Sequence, residues 1–168
     1  MTVTASIYSG IKARHTGAAD LGTPFMEIDT GAKTVEFTSG TTAGKADRVF
    51  SDERTLAASA SENLDLAGAL VDAFGATITF AKIVAIHIEA NAANAADIVV
   101  GGAASNAFVG PFGASTHTLA VKPGGRLTLV APQGGWTVTA GTADLLKILN
   151  GSGASPATYK VVLLGTSA

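Results

Sequence analysis

Short apolar runs separated by glycine, asparagine, proline or serine recur through the second half of the chain, and few folds accept that rhythm. They read "DIVVG" (97–101), "NAFVGPF" (106–112), "HTLAV" (117–121), "RLTLVA" (126–131), "WTVTA" (136–140), "LLKIL" (145–149) and "YKVVLLG" (159–165). Their spacing is close to the roughly 8–12 residues typical of sandwiches and barrels. No helical pattern of useful length intervenes, which argues against the alternating units of a parallel α/β sheet. The expected fold is all-β, an antiparallel β-sandwich of jelly-roll or Greek-key type with about eight strands after residue 50.

The strongest single strand signal is "TITFAKIVAIHIEA" (77–90). Ile78, Phe80, Val84, Ile86 and Ile88 share one parity, with Thr77, Thr79, Ala81, Ala85, His87 and Glu89 opposite. Lys82 breaks the inward side and Ile83 falls on the outward side. That places a β-bulge, or the meeting of two strands, near Lys82. Further on, "TLAVKPGGRLTLVAP" (118–132) reads as two strands joined into a hairpin. Pro123 presets φ at the first central turn position and Gly124 accepts positive φ at the second, as a type II turn requires. Gly134-Gly135 is a second such turn before Trp136, the lone tryptophan, which is expected to cover one end of the core. Between residues 51 and 70, Leu56, Leu64 and Leu66 fit strand alternation, and a brief helical turn over 65–72 is the one α candidate.

Residues 1–50 are rich in Gly, Thr and Ala and poor in large aliphatics. They read as an extended N-terminal arm with one or two short strands, ahead of a sandwich domain at 51–168. Only "TVEFT" (34–38) alternates clearly, with Val35 and Phe37 on one face as candidate arm anchors.

Composition narrows the function classes. The formal charge is −2 and charged residues make up 14% of the chain, with its 11 basic residues scattered. A protein that displaces counterions from phosphates gathers them on one face, so no nucleic-acid partner is expected. The absence of cysteine removes disulfides, thiolate zinc sites and cysteine nucleophiles together. The longest stretch without Asp, Glu, Lys or Arg, 98–121, is broken by Asn106, Pro111 and His117, so no membrane span is expected. The N-terminus lacks a basic start followed by an apolar block, and no secretory signal is expected.

Motifs for chemistry are weak. "GTTAGKA" (40–46) sets its glycines one residue too close for a phosphate-binding loop, and Ala46 offers no hydroxyl for magnesium. No G-x-S-x-G elbow occurs. Paired carboxylates on a β scaffold could hydrolyse glycosides, but the adjacent Asp52 and Glu53 point to opposite strand faces. Asn150-Gly151-Ser152 matches a glycosylation acceptor and reads as a turn. The best metal candidate is His87 facing His117 across strands, with Glu89 beside His87 on the same side. An interface or solvent-facing histidine pair is the reading preferred over a metal site. No catalytic residue, cofactor, metal or small-molecule substrate is therefore expected.

The segments "SGTTAGKADRVFSDERTLAASASENLDLAGAL", "ITFAKIVAIHIEANA", "IVVGGAASNAF", "LAVKPGGRLTLVAP" and "YKVVLLG" resemble, in their order and their Gly-Gly and Pro-Gly-Gly turns, a group of tailed-bacteriophage virion proteins. These are the small capsid decoration (cement) or head-fibre proteins. The resemblance spans roughly residues 38–165 and brings no catalytic motif. It implies a non-enzymatic β-sandwich module that oligomerises, a homotrimer being favoured over a dimer, and clamps the major capsid protein on the virion surface after assembly in the host cytoplasm. Val35, Phe37, His87, His117 and Trp136 are then the interface candidates. The alternative is a receptor- or carbohydrate-binding sandwich of a phage fibre or tail, with Trp136 and Phe112 stacking on sugar rings.

Overall fold

The computed structural model describes residues 2–18 and 20–168. The strands in chain order are β1 (Ala5–Ser9), β2 (Lys12–Thr16), β3 (Phe25–Asp29), β4 (Lys33–Ser39), β5 (Lys45–Ala46), β6 (Arg48–Leu56), β7 (Ser61–Asp65) and β8 (Leu70–Val71). They continue as β9 (Thr77–Ile78), β10 (Lys82–Ala90), β11 (Ile98–Gly101), β12 (Thr118–Val121), β13 (Arg126–Val130), β14 (Trp136–Thr137), β15 (Leu145–Asn150) and β16 (Ala157–Thr166). No helix forms among the described residues, so the protein is all-β.

Two antiparallel sheets carry the core. One has the order β13-β10-β16-β6, with β14 added beside β10, and the other β12-β11-β15-β7. Their inner faces meet in one cluster that includes Phe50, Leu64, Ile86, Ile88, Ile98, Leu146, Ile148, Tyr159 and Leu163. Each alternate residue of β15 and most of β16 is buried, as a strand lying between two others requires. At one margin an inter-sheet polar staple replaces apolar packing. Arg54 Nη1 donates to Glu62 Oε2 at 2.5 Å, and the Tyr159 hydroxyl donates to Glu62 Oε1 at 2.9 Å. Burial, then the hydrogen bond to Glu62, pushes the Tyr159 hydroxyl pKa upward, so it stays a donor.

The irregularity at Lys82 takes both forms allowed by the sequence. β9 and β10 are separate strands, and the register of β10 on β16 slips between Ile83 and Ala85. The extra residue, Val84, changes which side chains point inward. Ile83 enters the main core, while Val84 turns to the outer face beside Ala85 and Leu164. Simple parity puts Val84 with Ile86 and leaves Ile83 outside; the bulge reverses both.

Three other expectations are corrected. β12 and β13 do not form a hairpin: β12 pairs with β11 and β13 with β10, in opposite sheets. The turn itself is as expected, with Gly124 at φ 75° and Gly125 N–H donating to Lys122 O at 2.7 Å. A type II turn splays its flanking strands instead of matching their twist, and here it carries the chain across the sandwich. "NAFVGPF" is a looped segment outside the named strands, which drops Phe108 and Phe112 into the core. Residues 65–72 make turns and the short β8 rather than a helical turn.

Asn150 ends β15 with 1% of its surface exposed. Its Nδ2 donates to Ser155 O at 2.8 Å and Ala57 O at 3.0 Å, while Oδ1 accepts from Ser152 N–H at 2.8 Å. The acceptor-like triplet is thus a buried structural knot whose amide nitrogen is already committed. Replacing Asn150 with Ala removes these bonds, together with a longer one from Nδ2 to Leu56 O at 3.4 Å, and leaves three carbonyls and one N–H without that partner. The expected loss is about 2 kcal/mol, read as a lower urea midpoint at unchanged slope.

Candidate interaction surface

The N-terminal region is more ordered than an extended arm with one or two strands. β1 pairs antiparallel with β4, from Ala5↔Phe37 to Ser9↔Lys33, and β2 with β3, from Lys12↔Asp29 to Thr16↔Phe25. Thr30 links the two halves: its N–H donates to Ile11 O, and its Oγ1 accepts from Ile11 N–H. The result is one long two-stranded ribbon with β5 alongside β4. The expected boundary after residue 50 falls inside β6, which starts at Arg48 and is an edge strand of the sandwich.

The base of the ribbon lies on the outer face of the β13-β10-β16-β6 sheet. Val3, Phe37 and Ala46 are buried there against Val84, Ala85 and Leu164, with Ala5, Ile7, Val35, Val49 and Val130 packed around them. Val35 and Phe37 do anchor the arm, but to its own sandwich. Phe37 retains 1% of its surface and has none to offer a neighbour.

Beyond the base the ribbon is uncovered. Every described residue from 8 to 34 is exposed. Register divides β2–β3 into two unlike faces. On one, Lys12 bridges Glu27 at 3.1 Å and Asp29 at 3.7 Å, and the Arg14 guanidinium stands 4.0 Å from the Phe25 ring centroid. On the other, Ala13 opposes Ile28 and His15 opposes Met26, with Ile11 next in line. Ile11, Met26 and Ile28 keep 69%, 57% and 49% of their surface exposed. The charged face is satisfied within the hairpin, and the apolar face has no cover.

The outer face of the sandwich is graded in rows across its strands. Val49, Leu164, Ala85 and Val130 form the row under the ribbon. Ser51, Val162, His87 and Thr128 form the next, and Glu53, Lys160, Glu89 and Arg126 the one after. The third row is internally paired, with Arg126 Nε to Glu89 at 2.8 Å and Lys160 to Glu53 at 3.6 Å. The Arg126 hydrogen bond holds the Glu89 carboxyl below its ordinary pKa. Between ribbon and charged row lies a groove of about 410 Å³, lined by Ile7, Tyr8, Ala85, His87, Thr128 and Val162 among others.

His87 and His117 do not meet. His87 sits on the outer face of β10, its Nδ1 2.8 Å from Thr128 Oγ1. His117 precedes β12 of the other sheet, and its Nδ1 lies 2.7 Å from Phe112 O, closing the 112–117 loop. Glu89 is committed to Arg126, and no cluster of three metal-ligating side chains occurs among the described residues. Of the five interface candidates, His87 alone lines the groove.

Trp136 is half-buried on β14 beside Ile83, with its Cβ and indole against Gly110. Phe112 is buried in the core. The two therefore offer no shared open platform for a sugar ring. The Gly40–Lys45 loop leads into β5, without the helix that a phosphate loop requires.

The surface residues that sequence reasoning missed are those of the hairpin, Ile11, Met26 and Ile28, together with Val162. Phe25–Asp29 alternates too briefly to stand out, although Lys12, Arg14, Glu27 and Asp29 share one face once the strands are paired.

No protein-family model matches this chain, and neither a curated protein nor a solved structure matches it at a significant level.

Proposed function

We propose that this chain is a phage virion structural protein of the capsid-decoration type, which oligomerises and clamps neighbouring subunits of the major capsid protein. The observation that carries the reading is the hairpin: a ribbon anchored firmly at one end on a stiff sandwich, with its far half bare and apolar on one side. A two-stranded hairpin is marginal in water by itself. An exposed amphipathic one therefore favours a role in which another protein surface covers it.

The strand pairing supports a jelly-roll reading of the sandwich. Of its eight long strands the first pairs with the last, β6 with β16, then β7 with β15, β10 with β13, and β11 with β12. That is the nested pattern of a long hairpin rolled over itself into two Greek keys. Such a body supplies shape and stiffness. Modest contacts repeated over a lattice raise total avidity without any single strong site. On this reading the protein resides on the virion surface and in the host cytoplasm during assembly.

The test removes only the far half of the ribbon, joining Gly10 to Gly31, so that Phe37 and its neighbours still cover the sandwich. Binding to capsid shells lacking the protein is expected to weaken at least tenfold, measured by co-sedimentation. Undiminished binding by the shortened chain overturns the clamp.

A further inference from the structure

We propose that the apolar face of the β2–β3 hairpin docks into the groove beside Val162 of a second copy of this chain, each copy giving one hairpin and receiving one. This deepens the oligomer part of the functional reading but does not depend on a capsid.

Both halves of the contact are on the chain. The donor is the strip formed by Ile11, Ala13, His15, Met26 and Ile28, uncovered within its own molecule. The acceptor is the groove floor, where Val162 retains 39% exposure between the row already covered by the ribbon base and the charged row of Glu53, Lys160, Glu89 and Arg126. Its volume of about 410 Å³ admits more than one large aliphatic side chain. The ribbon base forms one wall through Ile7 and Tyr8, and the hairpin continues beyond that wall with every described residue exposed. A second hollow of about 480 Å³, lined by Thr2, Val3 and Thr4 ahead of β1, carries Asp47, Arg48 and Asp72 on its walls, a poorer match for a largely apolar strip.

The area argues for exchange. Five residues at about 3.4 Å each, on two strands, give a strip roughly 17 Å by 10 Å. One strip in one groove falls well short of the roughly 1,000 Å² that a specific interface needs. When each chain both gives and receives, a pair of chains covers four such faces, about 700 Å² before side-chain relief is added, the size of a weak, reversible contact. A reciprocal pair leaves no strip or groove bare, the condition that ends growth at a defined oligomer.

Light scattering on the purified full chain is expected to give a mass at least twice 16.7 kDa. Ile28→Glu on the strip and Val162→Glu in the groove should each return it to a monomer, at least a twofold fall in mass. Both positions are solvent-exposed, so folding is not at stake in either. A second measurement uses the absence of native cysteine. Chains carrying Ile28→Cys, mixed with chains carrying Val162→Cys and oxidised, should form a covalent heterodimer. A monomeric parent chain, an oligomer indifferent to either glutamate, or no mixed disulfide would each overturn the proposal. So would a disulfide confined within one doubly substituted chain, because the hairpin would then be covering its own groove. An oligomer that passes these tests but ignores capsid shells sinks the capsid reading and leaves the exchange standing.

Discussion

Gly165→Ala is expected to lower the melting temperature by about 6–12 °C, the largest effect of any single methyl group in the chain. Gly165 lies buried in β16, paired with Ile83 on one side and Arg48 on the other. A Cβ there would run into the carbonyl oxygen of Lys82 and the ring of Phe80. Phe80 is 2% exposed and has no space to retreat into, and the Lys82 carbonyl belongs to the strand beside it. Overpacking of this kind costs about 3 kcal/mol at the upper end of its usual range. For a domain of this size each kcal/mol moves the midpoint by about 2–4 °C. Calorimetry checks it, and an unchanged midpoint would show that the β9–β10 junction yields more easily than its packing implies.

The second large effect separates the arm from the body. Phe37→Ala is expected to remove about 3–5 kcal/mol from the contact between ribbon and sandwich, the range for emptying a buried phenylalanine site. That contact rests on a small cluster, Val3, Phe37, Ala46, Val84, Ala85 and Leu164, distinct from the main core. The ribbon should therefore open locally while the two sheets stay folded. Trypsin is expected to cut at Lys12, Arg14 and Lys33 and leave a protected fragment starting near the beginning of β6. Amide protection should fall in β1 and β4 and persist in β10 and β16. Cooperative loss of all protection together would mean that arm and sandwich are one folding unit.

The particular residues also show where a sequence speaks and where it falls silent. Alternation in 77–90 and the spacing of the later runs specify strands because each buries one face, a local property of period two. The sheet to which a strand belongs is not local. Pro123-Gly124-Gly125 dictates a type II turn from its own chemistry, yet nothing in those residues says that β12 pairs with β11 and β13 with β10. The handedness of that turn was the available clue, since paired hairpins favour the mirror-image types. Similarly, Lys82 marks an irregularity, but that Val84 is the extra residue shows only in the pairing with β16, where Ile83 faces Gly165 and Ala85 faces Leu164.

The surface was harder to read than the core. Val35 and Phe37 were identifiable as anchors from their shared face, whereas their target, the chain's own outer sheet, emerges only from the folded topology. The hairpin strip escaped notice because its apolar residues come from two separated segments, Ile11 with Ala13 and Met26 with Ile28, each too short to show a period. His87 and His117 looked like neighbours only while their strands were assumed to adjoin.

As a capsid-decoration protein, the role proposed above, the chain works as one member of a large assembly of protein surfaces. Quantitative mass spectrometry of purified particles from the source of this chain tests that most directly. Hundreds of copies per particle are the expected result. A handful of copies, or none, would contradict it.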